Sequence, residues 1–258
     1  MNHSLKSQAS FVYLASQSPR RAELLGQLCV PLRKLTPLEC GFKSGSQALQ
    51  DELLRLEELE RAQPGEGALD YVQRVTLSKF KAALALSDSY PHFEHHNPVL
   101  SADTTVAFGG EILGKPLSAQ EAIGMLERLS GQTHEVFTSV VVGTYVGFEQ
   151  RLSHSWVEFA HLSSKQMEAY VQTLEWSGKA GGYGIQGRAA SFITSIKGSY
   201  SGIMGLPLFE TSELLRPFGL TPSGVNRMAC ARVSFGSWGL CGVEGFCVYI
   251  RQLCNKIY

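Results

Sequence analysis

The chain has 258 residues, with 23 Lys and Arg against 23 Asp and Glu, so its formal net charge is zero. That balance argues against nucleic acid or a membrane surface as partner, because either favours a net basic face. No run approaches the ~18 consecutive apolar residues that would cross a bilayer, and the first ten residues lack the apolar stretch of a secretory leader, so a cytoplasmic protein is expected.

Phe11 to Ala15 is apolar and strand-like. Ser18 suits a helix N-cap and Pro19 the first helical position, and Ala22, Leu25 and Leu28 then recur at helical spacing. Arg20 and Arg21 therefore fall in the first turn, at the positive end of the helix dipole, where each cation costs about 0.3–1 kcal/mol. Either both point into solvent, or an anion binds there and reverses the sign of that cost.

A long connection, Thr36 to Gly67, carries Leu49, Leu53, Leu56 and Leu59 at three- to four-residue spacing, which predicts a helical insertion at about 38–56 and beyond. Asp70 then caps a second helix running to about Leu86, with an apolar stripe of Val72, Val75, Ala82, Ala83 and Leu86. Lys79 falls on that stripe. Its ammonium either snorkels to the edge or is needed inside a cleft. The segment from Ser87 to Pro98 holds three histidines but no cysteine or acidic triad at ligand spacing, and reads as a solvated loop.

Val99 to Phe108 reads as a buried strand with Asp103 in its middle. A carboxylate there is expensive unless it is paired, metal-bound or at an open end of the strand, which makes Asp103 the leading candidate for chemistry. Ser118 to Glu121 is a capping box, and Gly131 ends the helix that follows. Strands are expected over Val136–Phe148 and Leu152–Leu162, and a capped helix from Ser163 to about Leu174. A glycine-rich loop (Gly178 to Gly187), a strand (Ala190 to Ile196), a second loop (Gly198 to Gly205) and a last helix (Leu208 to Leu215) complete an α/β pattern.

Two near-motifs fail on context. Gly182-Tyr-Gly-Ile-Gln-Gly187 spells a dinucleotide fingerprint, but no strand precedes it, and β-branched and aromatic residues follow where a helix should start. Gly109 to Pro116 approaches a phosphate loop, but Pro116 stands where a metal-binding hydroxyl is required. Beyond Leu220 the sequence mixes glycine, aromatics and Cys230, Cys241, Cys247 and Cys254 without periodicity. Residues 221–258 read as an appended extension to a domain of residues 1–220, and their cysteine spacings fit no zinc template.

Taken in order, Leu14 to Arg21 (LASQSPRR), Tyr71 to Arg74, Lys79, Ser101 to Thr104, Gly114 to Pro116, Leu129 to Gly131, Tyr183 to Gly187, and Gly198 to Ser201 with Gly205 to Pro207 resemble the ordered blocks of the Maf family of nucleotide pyrophosphatases. The resemblance implies an elongated α/β fold of a mixed sheet flanked by helices, with two lobes around a central cleft, and a homodimer. It implies hydrolysis of a nucleoside triphosphate between its α- and β-phosphates. Asp103 would be the proton acceptor; Ser16, Arg21, Lys79 and Lys115 would line the triphosphate. A divalent cation, Mg²⁺ or Mn²⁺, would arrive with the nucleotide and be met by Asp103 and an acidic residue, Glu60 by its distance from Pro64, with Glu58 as the alternative. Arg20, Thr104 and Gln186 match the branch of the family that acts on dTTP and UTP. The same chemistry on another base such as 7-methyl-GTP, or a nucleotide-binding regulator of cell division, are the competing readings. Phe80, Lys81, the long insertion and the tail depart from the family pattern.

Overall fold

A computed structural model describes residues 9–221 of the chain. The tail cysteines, and the extension from residue 222 onward, lie outside the described residues.

Among the described residues, seven strands form one mixed sheet: β1 (Val12–Leu14), β2 (Leu32–Lys34), β3 (Val99–Phe108), β4 (Glu111–Leu113), β5 (Thr133–Thr144), β6 (Gly147–Phe159) and β7 (Ile193–Lys197). Their order is β2-β1-β3-β5-β6-β7, with β4 on β3. β1 runs parallel to β2 and β3, and the remaining pairs are antiparallel. Around the sheet lie α1 (Pro19–Gln27), α2 (Gln47–Leu59), α3 (Ala68–Ser87), α4 (Ala119–Leu129), α5 (Ser164–Val171), α6 (Tyr200–Met204) and α7 (Leu208–Leu215).

Strand alternation sends side chains to two faces. Val12, Leu14, Leu100, Ala102, Val140 and Val142 pack on one face against Leu24 and Leu25 of α1 and Leu214 and Leu215 of α7. Further along that face, Val106, Val136 and Val157 pack with Ala122, Leu126 and Leu129 of α4 and with Met167 and Tyr170 of α5. The opposite face presents Phe11, Tyr13, Val99 and Val141 to Phe80, Ala83 and Leu86 of α3. Phe80, unusual for the family pattern, is fully buried there.

One discontinuity positions everything that follows. β1 pairs with β3 only at Val99 and Leu100, and β4 takes up pairing with β3 at Val106. Between them, residues 101–105 of β3 have no strand on that edge among the described residues, because the chain leaves β1 at Ala15 and turns into α1. The sheet therefore opens where β1 ends and a helix begins, the place where ligands bind in open α/β sheets.

Four expected boundaries move. α3 begins three residues earlier than expected, with Gly67 at its N-cap and Asp70 inside its first turn, where a carboxylate still complements the helix dipole. The hairpin turns at Tyr145 and Val146, so Phe148 and Leu152 share one strand. The strand expected from Ala190 starts at Ile193, after a 3₁₀ turn over Arg188–Phe192. The loop expected from Gly198 to Gly205 contains α6, whose Ser199 hydroxyl accepts from the Gly202 amide. A serine cap on a five-residue helix bounded by glycines is too short for periodicity to register.

Candidate active site

A cavity of about 940 Å³ fills the open edge of β3. Its first wall is the start of α1. Ser18 is the N-cap, but its side chain makes no capping bond; instead Ser16 Oγ accepts from the Ser18 amide at 3.2 Å and from the Arg21 guanidinium at 3.3 Å. Arg21 Nε also donates to the Gly205 carbonyl at 2.9 Å, which ties α1 to the end of α6. Burial lowers the Arg21 pKa, partly offset by the field of Asp103. Both arginines thus face the cavity instead of bulk water, and Ser18 leaves first-turn amides uncapped by its side chain. This geometry suits an anion.

The second wall is a relay of charges. Asp103 and Lys79 share the face between β3 and α3, and Lys79 Nζ lies 2.6 Å from Asp103 Oδ1 and 2.7 Å from Glu60 Oε1. Lys115, which follows β4, reaches Glu60 Oε2 at 2.8 Å. Lysine on an apolar helical stripe therefore has a plain cause: it is drawn inward by two carboxylates. Burial alone would raise the Glu60 pKa, but Lys79 and Lys115 outweigh it and hold the carboxyl at about 2. Glu60 follows the end of α2, and α3 fixes that end in place. Tyr71 donates to the Glu60 carbonyl at 2.7 Å, while Arg74 donates to the carbonyls of Leu59 and Arg61 and forks onto Glu66. Glu58, the alternative acidic residue, is at the surface in an ion pair with Arg61 at 2.9 Å. Of Glu58 and Glu60, it is Glu60 that lines the cavity.

The third wall is the glycine-rich turn bearing Gln186. Its shape comes from backbone and from buried neutral groups. Gly187 donates to the Gly184 carbonyl at 3.0 Å, and the Arg188 amide donates to Glu175 Oε2 at 2.8 Å. A Cβ on Gly187 would collide with that same carboxylate oxygen. Tyr183 reaches back to His134 Nε2 at 2.7 Å, and the Tyr170 hydroxyl accepts from the Gly184 amide at 3.2 Å. Burial lowers the His134 pKa to about 4 and raises that of Tyr183, so both are neutral near pH 7. Thr104, on the opposite face from Asp103, lies 3.0 Å from the Thr138 hydroxyl, and Thr138 donates to the Gly202 carbonyl at 2.8 Å.

All nine expected residues (Ser16, Arg20, Arg21, Glu60, Lys79, Asp103, Thr104, Lys115 and Gln186) line this one cavity. Asp103 and Thr104 point to opposite faces of β3 and still share it, because the sheet edge is open there. Three charged lining residues had no part in the sequence reading: Glu57, Glu175 and Lys179. For Glu175 and Lys179 the one signal was a charged pair four residues apart at the start of the glycine-rich loop. As for a cation, no group of three His, Cys, Asp or Glu at ligand spacing exists among the described residues. Two carboxylates, Asp103 and Glu60, do converge on one ammonium. That donor set fits a hard divalent ion only when phosphate oxygens complete its shell.

The model of the Maf-like protein family matches residues 11–218, which includes every wall of this cavity. The chain belongs to the Maf-like family. The Maf-like chain is 50% identical over 212 residues to a dTTP/UTP pyrophosphatase of Cupriavidus pinatubonensis, covering 80% of this chain and 96% of that one. It is 49% identical over 217 residues to a dTTP/UTP pyrophosphatase of Cupriavidus metallidurans, covering 82% and 98%. A dTTP/UTP pyrophosphatase of Burkholderia pseudomallei is 48% identical over 210 residues, covering 80% and 92%. No helix among the described residues is long and apolar enough to cross a membrane.

Proposed function

We propose that this Maf-like protein hydrolyses dTTP and UTP to the nucleoside monophosphate and pyrophosphate. The observation that carries the reading is the Asp103–Lys79–Glu60–Lys115 relay, opening onto a cavity whose other walls hold Arg21 and Gln186. The relatives named dTTP/UTP pyrophosphatase support the choice of substrate.

In this mechanism Lys79, Lys115, Arg21 and Ser16 hold the phosphate oxygens. Donors fixed before the reaction stabilise the charge that develops on the departing pyrophosphate. Asp103 accepts a proton from a water molecule as its oxygen bonds to the α-phosphorus. The bond from the α-phosphorus to the bridging oxygen breaks, and that oxygen leaves with the β-phosphate. Lys79 keeps the Asp103 carboxylate oriented toward that water, and the open edge of β3 supplies the space for in-line attack. A bound Mg²⁺ or Mn²⁺, held by Asp103 and Glu60 together with the triphosphate, would neutralise phosphate charge. Glu60 would then exchange lysine contacts for the cation, while the lysines turn to phosphate.

Pyrophosphate release from purified protein with Mg²⁺ or Mn²⁺, across dTTP, UTP, CTP, 7-methyl-GTP and dITP, tests the proposal. Release led by dTTP and UTP is expected. Release led by 7-methyl-GTP would overturn the choice of base, and no release from any nucleotide by folded protein would overturn the enzymatic reading.

A further inference from the structure

The base end of the cavity holds a cation that the mechanism above does not use. Lys179 follows Gly178 (φ 67°) and precedes Gly181 (φ 68°) and Gly182 (φ 70°), so its backbone is set by positions that L side chains rarely occupy. The Gly181 amide is pinned to the Gly114 carbonyl at 3.0 Å, one residue before Lys115. From there the Lys179 side chain crosses directly over Gly184: a Cβ at Gly184 would stand 2.9 Å from Lys179 Cε and 3.7 Å from Gln186 Oε1. The ammonium stem and the Gln186 amide therefore flank one glycine on the same wall. Arg20 is close enough for its charge to act on Lys179. Among the described residues, one of the three ammonium donors goes to the Glu175 carbonyl. Two remain, half-buried, on the cavity wall.

Resting on the dTTP/UTP reading, we propose that Lys179 is a specificity residue: its ammonium donates to the 4-oxygen of uracil or thymine. Gln186 completes the edge, with Oε1 accepting from N3–H and the amide nitrogen donating to the 2-oxygen. An ammonium donates but never accepts, so it complements a carbonyl and opposes the exocyclic amino group that cytosine carries at the same place. An amide alone lacks that asymmetry, since it can turn to satisfy either base. The phosphate grips lie elsewhere, on Ser16, Arg21, Lys79 and Lys115, which leaves Lys179 free for the base.

The test is kcat/KM for UTP and for CTP in wild type, Lys179→Met and Lys179→Gln, with thermal melting to verify folding. The ratio of UTP to CTP should fall at least about tenfold in Lys179→Met and also fall in Lys179→Gln, whose amide can serve either base. A wild-type readout stands beside these in case the variants misfold. The triphosphate of 2-pyrimidinone, which lacks the 4-oxygen, should have a kcat/KM at least about tenfold below that of UTP. An equal loss for UTP and CTP in the variants would mean a phosphate-binding or purely structural lysine and overturn the inference, as would an unshifted ratio or equal turnover of the 2-pyrimidinone nucleotide. A wild type inert toward every triphosphate would overturn the pyrophosphatase reading and this inference with it.

Discussion

The two ends of the cavity are built by opposite means. At the phosphate end, four charged side chains from the C-cap of α2, α3, β3 and the segment after β4 hold one another through ion pairs of 2.6–2.8 Å. At the base end, the Gln186 turn is held by backbone bonds, by glycines against which the Glu175 and Lys179 side chains pack closely, and by the buried neutral pair His134–Tyr183. The charged end keeps its cations and anions satisfied until a polyanion competes for them. The base end is preorganised by contacts that the substrate does not displace, and presents Lys179 and Gln186 from that fixed frame. Substitutions in the ion-pair relay should therefore act on turnover, and substitutions in or under the Gln186 turn on stability and base choice.

The largest effect is expected from Asp103→Asn, which keeps the shape of the relay and removes the proton acceptor. Turnover of dTTP should fall by about 10²- to 10⁴-fold while nucleotide binding, measured by calorimetry, persists. Unchanged turnover would exclude Asp103 as the base. Next, Lys115→Met should lower kcat/KM by about a hundredfold, since it removes one charged donor to the phosphates and half the clamp on Glu60. A fall of less than twofold would place Lys115 outside the phosphate site.

At the other end, Tyr183→Phe leaves His134 Nε2 buried without its partner, and Nδ1 already has none among the described residues. A loss of about 1–3 kcal/mol in urea unfolding is expected, with kcat affected less than KM. A loss confined to kcat would contradict the division between the two ends. The smallest effects are in pH. His134 has its pKa lowered from 6.5 to about 4 by burial. As pH falls from 6.5 to 4, the unfolded chain takes up a proton that the fold refuses, so stability falls across that window. Glu60, depressed from 4.5 to about 2, contributes stability that is present above pH 4.5 and is lost as pH falls toward 2. Proton resonances of His134 that titrate near 6.5 would break the first statement; a Glu60→Gln variant whose acid unfolding matches wild type would break the second.

This division also explains what was legible in the sequence. Arg21, Lys79 and Asp103 each break a local rule: a cation at a helix N-terminus, a lysine on an apolar stripe, a carboxylate in a buried strand. A broken rule is visible in one dimension, and the family blocks then named Lys115, Glu60 and Gln186. Lys179 and Glu175 break no rule. Their roles arise only when the glycine turn folds back over them, a contact that sequence spacing does not encode. The short α6 and the 3₁₀ turn before β7 were missed for a related reason, being fixed by caps and tertiary bonds over too few residues for a period to show. The regular elements α1, α7 and β3 were readable because each buries a periodic apolar face.

The most direct test of the central claim, that a water activated at Asp103 attacks the α-phosphorus, is hydrolysis of dTTP or UTP in ¹⁸O-labelled water. Mass spectrometry of the products should find the label in the nucleoside monophosphate and none in pyrophosphate. Label in pyrophosphate would mean attack at the β-phosphorus and would contradict the placement of the phosphates along the relay.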